Sequence, residues 1–272
     1  MFDKILQLPS PWQILIDPAS IIVISIFLAL MIAEAVVPGR RLPSVKYWRL
    51  RGIAAFIIYF FISSYLPLIW SDYLAEYSIF NLTFLGDYWG GLIALLLYQF
   101  GVYVWHRTMH SSNFLWRVFH QMHHSAERVD TYGTFFFSPM DMIGFTFLTS
   151  LAMVWIAGFT AQATLYAIYG ATFLAVIQHT NIKTPQWAGY IFQRPESHSI
   201  HHAKGVHAFN YSDLPLFDII FGTFRNPKEF AQEAGFYNGA SSEIGKMLLF
   251  KDINNQTTKI VNDKPRHSRL LE

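Results

Sequence analysis

The sequence contains no cysteine and little charge. Without thiols there are no disulfides, no thiolate zinc sites, no cysteine-ligated iron–sulfur clusters and no thiolate haem. Charged residues make up 14% of the chain, against about 25% in soluble domains. A net charge of +2 with mixed signs leaves no basic stripe, which excludes nucleic acid as a partner. The signatures GxSxG, P-loop and HExxH are missing, and with them the common hydrolytic and nucleotide-dependent chemistries. There is no internal repeat, and no low-complexity tract beyond a polar tail from about residue 254, expected to be loosely ordered.

What the chain has instead is hydrophobic length. Hydrophobic residues form 53% of its 272 positions. Apolar runs at residues 21–37, 53–70, 88–105, 142–159 and 161–177 each approach the ~20 residues that a bilayer-spanning helix needs. The last two meet at Gly158-Phe159-Thr160-Ala161, which predicts a tight helical hairpin. The amphipathic first sixteen residues, with Trp12 beside two prolines, are expected to lie at the membrane interface.

Charge sets the orientation. Residues 38–51 carry Arg40, Arg41, Lys46, Arg49 and Arg51 with no acid, whereas the next connection holds Asp72, Glu76 and Asp87 with no base. The positive-inside rule makes the first loop cytoplasmic. Five spans then put the N-terminus outside and the C-terminus inside, with residues 106–141 and everything after His179 on the cytoplasmic side. The reading is an all-α membrane protein of about four to five transmembrane helices with a cytoplasmic histidine-rich helical cap, a single domain over residues 1–272.

All eleven histidines fall in those two segments. His106 and His110 are spaced i, i+4; His120, His123 and His124 form HxxHH; His198, His201 and His202 repeat it; His179 closes the fifth apolar run. Each helical spacing groups its imidazoles on one face. In one straight helix His106 and His120 would stand about 21 Å apart, so the chain must turn between them, and Ser111-Ser112-Asn113 is the place. Nine histidines are too many for one tetrahedral zinc site and suit two metals. Imidazole-only ligation does not select the metal, and a redox-active pair fits many neutral ligands with open positions for oxygen. His207, five residues past a box, reads as an outer or surface residue, and His267 in the tail as solvated.

WHRTMH, LWRVFHQMHHS and HSIHH, followed by NYSDLPLFDIIFGTF, resemble the HxxxH, HxxHH and HxxHH boxes and the Asn-Tyr-Gly and Asp-x-x-Phe-Gly-Thr pattern of the fatty acid hydroxylase superfamily, also called the sterol desaturase family. The likeness covers about residues 90–225. It implies two non-haem irons held by His106, His110, His120, His123, His124, His179, His198, His201 and His202 as ligands and catalytic residues. With O2 as co-substrate they would hydroxylate or desaturate a C–H bond of a membrane lipid: a sterol or other isoprenoid, an ether lipid or a fatty acyl chain. A fused haem domain of the HPGG type is not seen, so the resemblance implies a separate electron donor, of ferredoxin or cytochrome b5 type with its reductase. Gln99 stands where many members have Asp, and TFFFSPMD (residues 134–141) replaces an Arg-x-His-Pro-like segment, so the substrate does not transfer from the family. The aromatics near the boxes, Trp105, Trp116, Phe119, Phe135, Phe136 and Phe137, either line a lipid slot or form core.

Two rivals of another class are a membrane metal transporter and a structural zinc protein. Transport sites lie near the bilayer midplane on broken helices, whereas these boxes sit at the ends of the spans, and structural zinc closes at four ligands.

Overall fold

The computed structural model describes residues 7–254. The first six residues of the predicted interfacial segment and the polar tail, His267 included, lie outside the described residues. Among those described there is no strand, only an isolated antiparallel bridge between Ala203 and Ala234.

A short helix α1 (Pro11–Ile16) is capped by Ser10 and Gln13 in a reciprocal box. Asp17 then caps α2 (Pro18–Val36), and α3 (Trp48–Glu76) and α4 (Gly86–Ser111) follow. Next comes α5, an irregular helical segment formed by Asn113–Leu115, a π-helical turn Trp116–His120 and Gln121–His124. Ser138 caps α6 (Pro139–Ser150), which winds on as a π-helix over Leu151–Ile156. Beyond a short turn, Thr160 caps α7 (Ala161–His179).

Among the described residues four helices are long and apolar enough to cross a membrane: Pro18–Val36, Trp48–Glu76, Thr83–Ser111 and Pro139–Ile156. Isoleucines on their outer faces, such as Ile21, Ile32, Ile57 and Ile58, stay exposed, as a lipid-facing surface requires. The fifth predicted run, α7, is not among the four; Gln162, Gln178 and His179 are its most polar residues and lower its mean hydropathy. It nevertheless runs the height of the bundle. At its start the Thr160 hydroxyl donates to Asp87, and the turn before it pairs with the 79–82 connection, Phe80 N donating to Ile156 O. Its last residue lies in the histidine region at the other end. Nineteen residues at 1.5 Å each give it about 28 Å, the thickness of a hydrocarbon core. Two glycines let it approach α4: a Cβ at Gly90 or Gly91 would come within 3.0 Å of the Cβ of Ala163 or Tyr166. Small residues at close helix contacts are the usual solution inside membranes.

The connection between α2 and α3 and the chain after α7 fold over the same end. Gly39 N donates to Asn181 O at 2.6 Å, Asn181 Nδ2 to Arg40 O at 2.7 Å, and Arg128 Nη1 to Pro43 O at 3.0 Å. Arginines of the basic connection also clamp this cap: Arg40 donates to Ala231 O and Arg51 to Ser241 O. Glu34, near the end of α2, is buried and accepts from Thr131 N, Thr131 Oγ1 and Asn181 N at 2.8, 2.6 and 3.0 Å. One carboxylate thereby ties the first span to both segments that carry histidines. Within the cap lie the short helices α8 (Pro195–His201), α9 (Pro215–Ile220) and α10 (Ile244–Leu248).

Candidate metal centre

Helix α4 carries His106 and His110 on its last turns, and the chain reverses where the sequence predicts. Ser112 is extended (φ −126°, ψ 119°), and its hydroxyl accepts from Leu115 N to start α5. As a result His106 Nε2 and His120 Nε2 come to 2.8 Å. Helix α8 delivers His198 and His201, with His202 at its cap, and the end of α7 delivers His179.

All nine predicted histidines converge, and they do so in two groups. His106, His110, His120, His124 and His201 form one; His123, His179, His198 and His202 form the other, each with its ligand atoms within 4.8 Å of one another. Neither HxxHH box serves a single group. Its i and i+4 residues (His120 and His124; His198 and His202) enter one cluster, while the i+3 residue (His123; His201) enters the other. At 100° per residue, i+4 lies about 40° from i and i+3 about 60° to the other side, so each box straddles the two clusters.

The unpaired atoms fit metal ions. Buried Nε2 atoms of His110, His124 and His201 in the five-membered cluster have no hydrogen-bond partner among the described residues. In the four-membered cluster Nε2 atoms face one another: His179 to His123 at 3.0 Å, His198 to His179 at 3.0 Å, His202 to His198 at 3.1 Å. Donors at right angles around an ion at ~2.1 Å would stand about 3.0 Å apart, and tetrahedral ones about 3.4 Å. The observed spacing therefore suits a metal of higher coordination number better than a closed structural zinc. Burial first, then the neighbouring imidazoles, push the pKa of His120, His123, His124, His198, His201 and His202 well below the ordinary histidine value. They are held neutral, the form that binds metal.

Around the clusters stand residues that the boxes do not announce. Asp141 Oδ2 lies 2.8 Å from His120 Nδ1, the carboxylate–histidine arrangement that orients a metal ligand and raises its basicity. Its sequence signal is weak: Ser138-Pro139 marks a helix start, and Asp141 falls in the first turn, inside the segment that departs from the family pattern. Backbone carbonyls of Tyr211 and Phe209 face His106 Nδ1 and His201 Nδ1, both at 2.7 Å. His207 reaches His124, Nδ1 to Nδ1, at 3.1 Å, and burial takes its pKa down to about 4. It is a neighbour of the cluster rather than a free surface residue.

The predicted slot aromatics divide. Phe137 packs 4.7 Å from the His123 ring, with Phe145 stacked on it at 5.5 Å, making an apolar wall on the bundle side. Trp116 flanks His110 and His124, each at 5.0 Å. Phe136 turns away onto Trp48, Phe135 packs on Tyr59, and Phe119 meets Trp105 edge-on. These last pairs are core. A cavity of about 470 Å³ lined by Ser78, Phe80, Val154 and Phe159 opens at the far end of the bundle and touches no histidine.

Gln99 is fully buried. Its Nε2 donates to Asp213 Oδ2 at 2.9 Å, while its Oε1 accepts from Ser212 Oγ, Asp213 N and Leu214 N. Gln178, next to His179, donates to the other oxygen of Asp213 at 2.6 Å. An acid is present beside position 99 after all, supplied by the loop instead of by α4.

Two polyhistidine clusters capping membrane-length helices define a histidine-box membrane protein. The chain belongs to the fatty acid hydroxylase superfamily, whose fatty acid hydroxylase domain matches residues 91–223. It is 30% identical over 142 residues to the ornithine lipid hydroxylase OlsE of Rhizobium tropici, covering 50% of this chain and 42% of that protein. It is 25% identical over 137 residues to sphinganine C4-monooxygenase 2 of Arabidopsis thaliana, covering 49% of this chain and 53% of that protein. The chain thus spans about half the length of these curated relatives. No solved structure matches it.

Proposed function

We propose that the chain is an O2-dependent di-iron oxidoreductase that hydroxylates a C–H bond of a membrane lipid, acting as one membrane-embedded unit with its site on the cytoplasmic side. The observation that carries the reading is the convergence of nine imidazoles, eight of them buried and His110 partly so, into two clusters at one end of membrane-length helices. Two irons bound there would supply the activation of oxygen.

The chain's own residues do the rest. The nine histidines are the ligands, five on one side and four on the other. Asp141 and the 207–211 loop hold ligand rings in place. Phe137 and Phe145 form a dry wall beside His123 and His120, where an apolar chain rising from the bilayer would meet the clusters. The names of the two relatives support hydroxylation over desaturation, and a long-chain amphiphile over a sterol as substrate. Electrons come from a separate carrier of ferredoxin or cytochrome b5 type.

The test compares the lipids of cells expressing the wild type and His124→Ala by mass spectrometry, under air and under oxygen-18. The expected result is a wild-type-specific lipid heavier by one labelled oxygen. A lipid lacking two hydrogens would make the enzyme a desaturase. Identical lipids together with zinc in the purified protein would overturn the oxygenase reading.

A further inference from the structure

The two clusters are supported very differently from outside. In the five-histidine cluster four of the five rings have their outer nitrogen engaged: His106 by Tyr211 O, His201 by Phe209 O, His120 by Asp141, and His124 by the His207 ring. Three of these four partners come from one stretch, residues 207–211. That stretch holds His207, Phe209 and Asn210 at φ 44°, 70° and 50°, a left-handed conformation that non-glycine residues seldom adopt. Asn210 locks it, its side chain donating to Ser197 O and Arg225 O and accepting from Arg225 N.

The four-histidine cluster has no such collar. Among the described residues only His179 has an anchor, Nδ1 to Ala175 O at 2.7 Å. The buried Nδ1 atoms of His123, His198 and His202 have no partner among the described residues. With nothing to hold a proton on Nδ1, these rings are free to place it on Nε2, the nitrogen that faces the cluster, and each must lose that freedom when an ion binds.

Resting on the reading of both clusters as metal sites, we infer that they are unequal: the five-histidine cluster, collared by residues 207–211 and Asp141, fills first and holds its ion more tightly, and the four-histidine cluster is the exchangeable position. Outer partners of metal-bound histidines are worth about 10–100-fold in affinity, and the first cluster has four against one, besides an additional ligand.

Full-length protein stripped of metal in detergent, titrated with cobalt(II) against a competing chelator and followed by visible absorption, tests this. The expected result is two binding steps about tenfold or more apart. His198→Ala should remove the weaker step alone and His124→Ala the tighter one. Asp141→Asn, which keeps the side-chain shape, should weaken the tighter step by about 10–100-fold and leave the other unchanged. Two equivalents bound with one affinity overturn the inference and leave the metal reading standing; so does loss of the tighter step in His198→Ala. Absence of cobalt binding overturns both.

Discussion

Asp213 shows how a single residue reports on its surroundings. Burial raises its carboxyl pKa to about 6, and the amide hydrogen bonds from Gln99 and Gln178 only partly oppose this. In the unfolded chain an aspartate titrates near 3.9. Between those values the folded protein keeps a proton that the unfolded chain has lost. This contribution to stability is complete below about pH 4, fades as pH rises through 6, and changes by at most about 1.4 kcal/mol per pH unit. Asp213→Asn cannot titrate, and Gln178, whose Oε1 has no partner among the described residues, can turn its amide to accept from the new NH2 group. Melting temperatures in detergent from pH 4.5 to 7 should show the wild type losing stability relative to the variant as pH rises. Parallel curves would refute the assignment. His207, read from the sequence as an outer or surface residue, stands in the structure against the His124 ring. Its substitution by alanine removes an anchor and no ligand, so lipid product should fall without vanishing, whereas His202→Ala should abolish it.

At the scale of elements, most of the site was legible because helical spacing is. The boxes, the break at Ser112 and the hairpin into α7 follow from period and turn residues. The division of each HxxHH between two clusters was within reach of the same arithmetic, yet reading each box as one face concealed it. The anchors were beyond reach: a backbone carbonyl leaves no mark in a sequence, and the Asp141 contact depends on how α6 packs against α5. Helix docking was equally silent. Gly52 on α3 meets the 131–133 turn so closely that a Cβ would sit 2.2 Å from Tyr132 O, and that turn is held by Glu34 and by Asp130, which accepts from Trp48 Nε1 at 2.9 Å. Since the contact is backbone, nothing can rotate aside. Gly52→Ala should cost about 1–3 kcal/mol, as overpacking typically does, visible as a lower melting temperature and weaker cobalt binding. An unchanged melting temperature would mean that α3 and this turn do not touch.

For the molecule as a whole, orientation reduces to one binary choice. Hydrogen bonds from Gly39, Arg40 and Arg51 to Asn181, Ala231 and Ser241 put the first connection and the C-terminal cap at the same end as the histidines, and the connection around Glu76 and Asp87 at the other. On the proposed reading the basic end is the cytoplasmic one, as the positive-inside rule expects. Because the chain has no cysteine, single introduced cysteines report without background. Ser44→Cys and Lys228→Cys, both exposed on the histidine side, should resist a membrane-impermeant thiol reagent in intact cells and react in inverted vesicles, while exposed Glu76→Cys should do the reverse. The three sites separate two failures. Exchange of all three patterns would leave the fold intact and place the histidine clusters outside the cell, away from cytoplasmic reductants. Reaction of position 228 together with position 76 would instead mean that α7 does not return the chain across the bundle, and the meeting of His179 with His123 would fall with it.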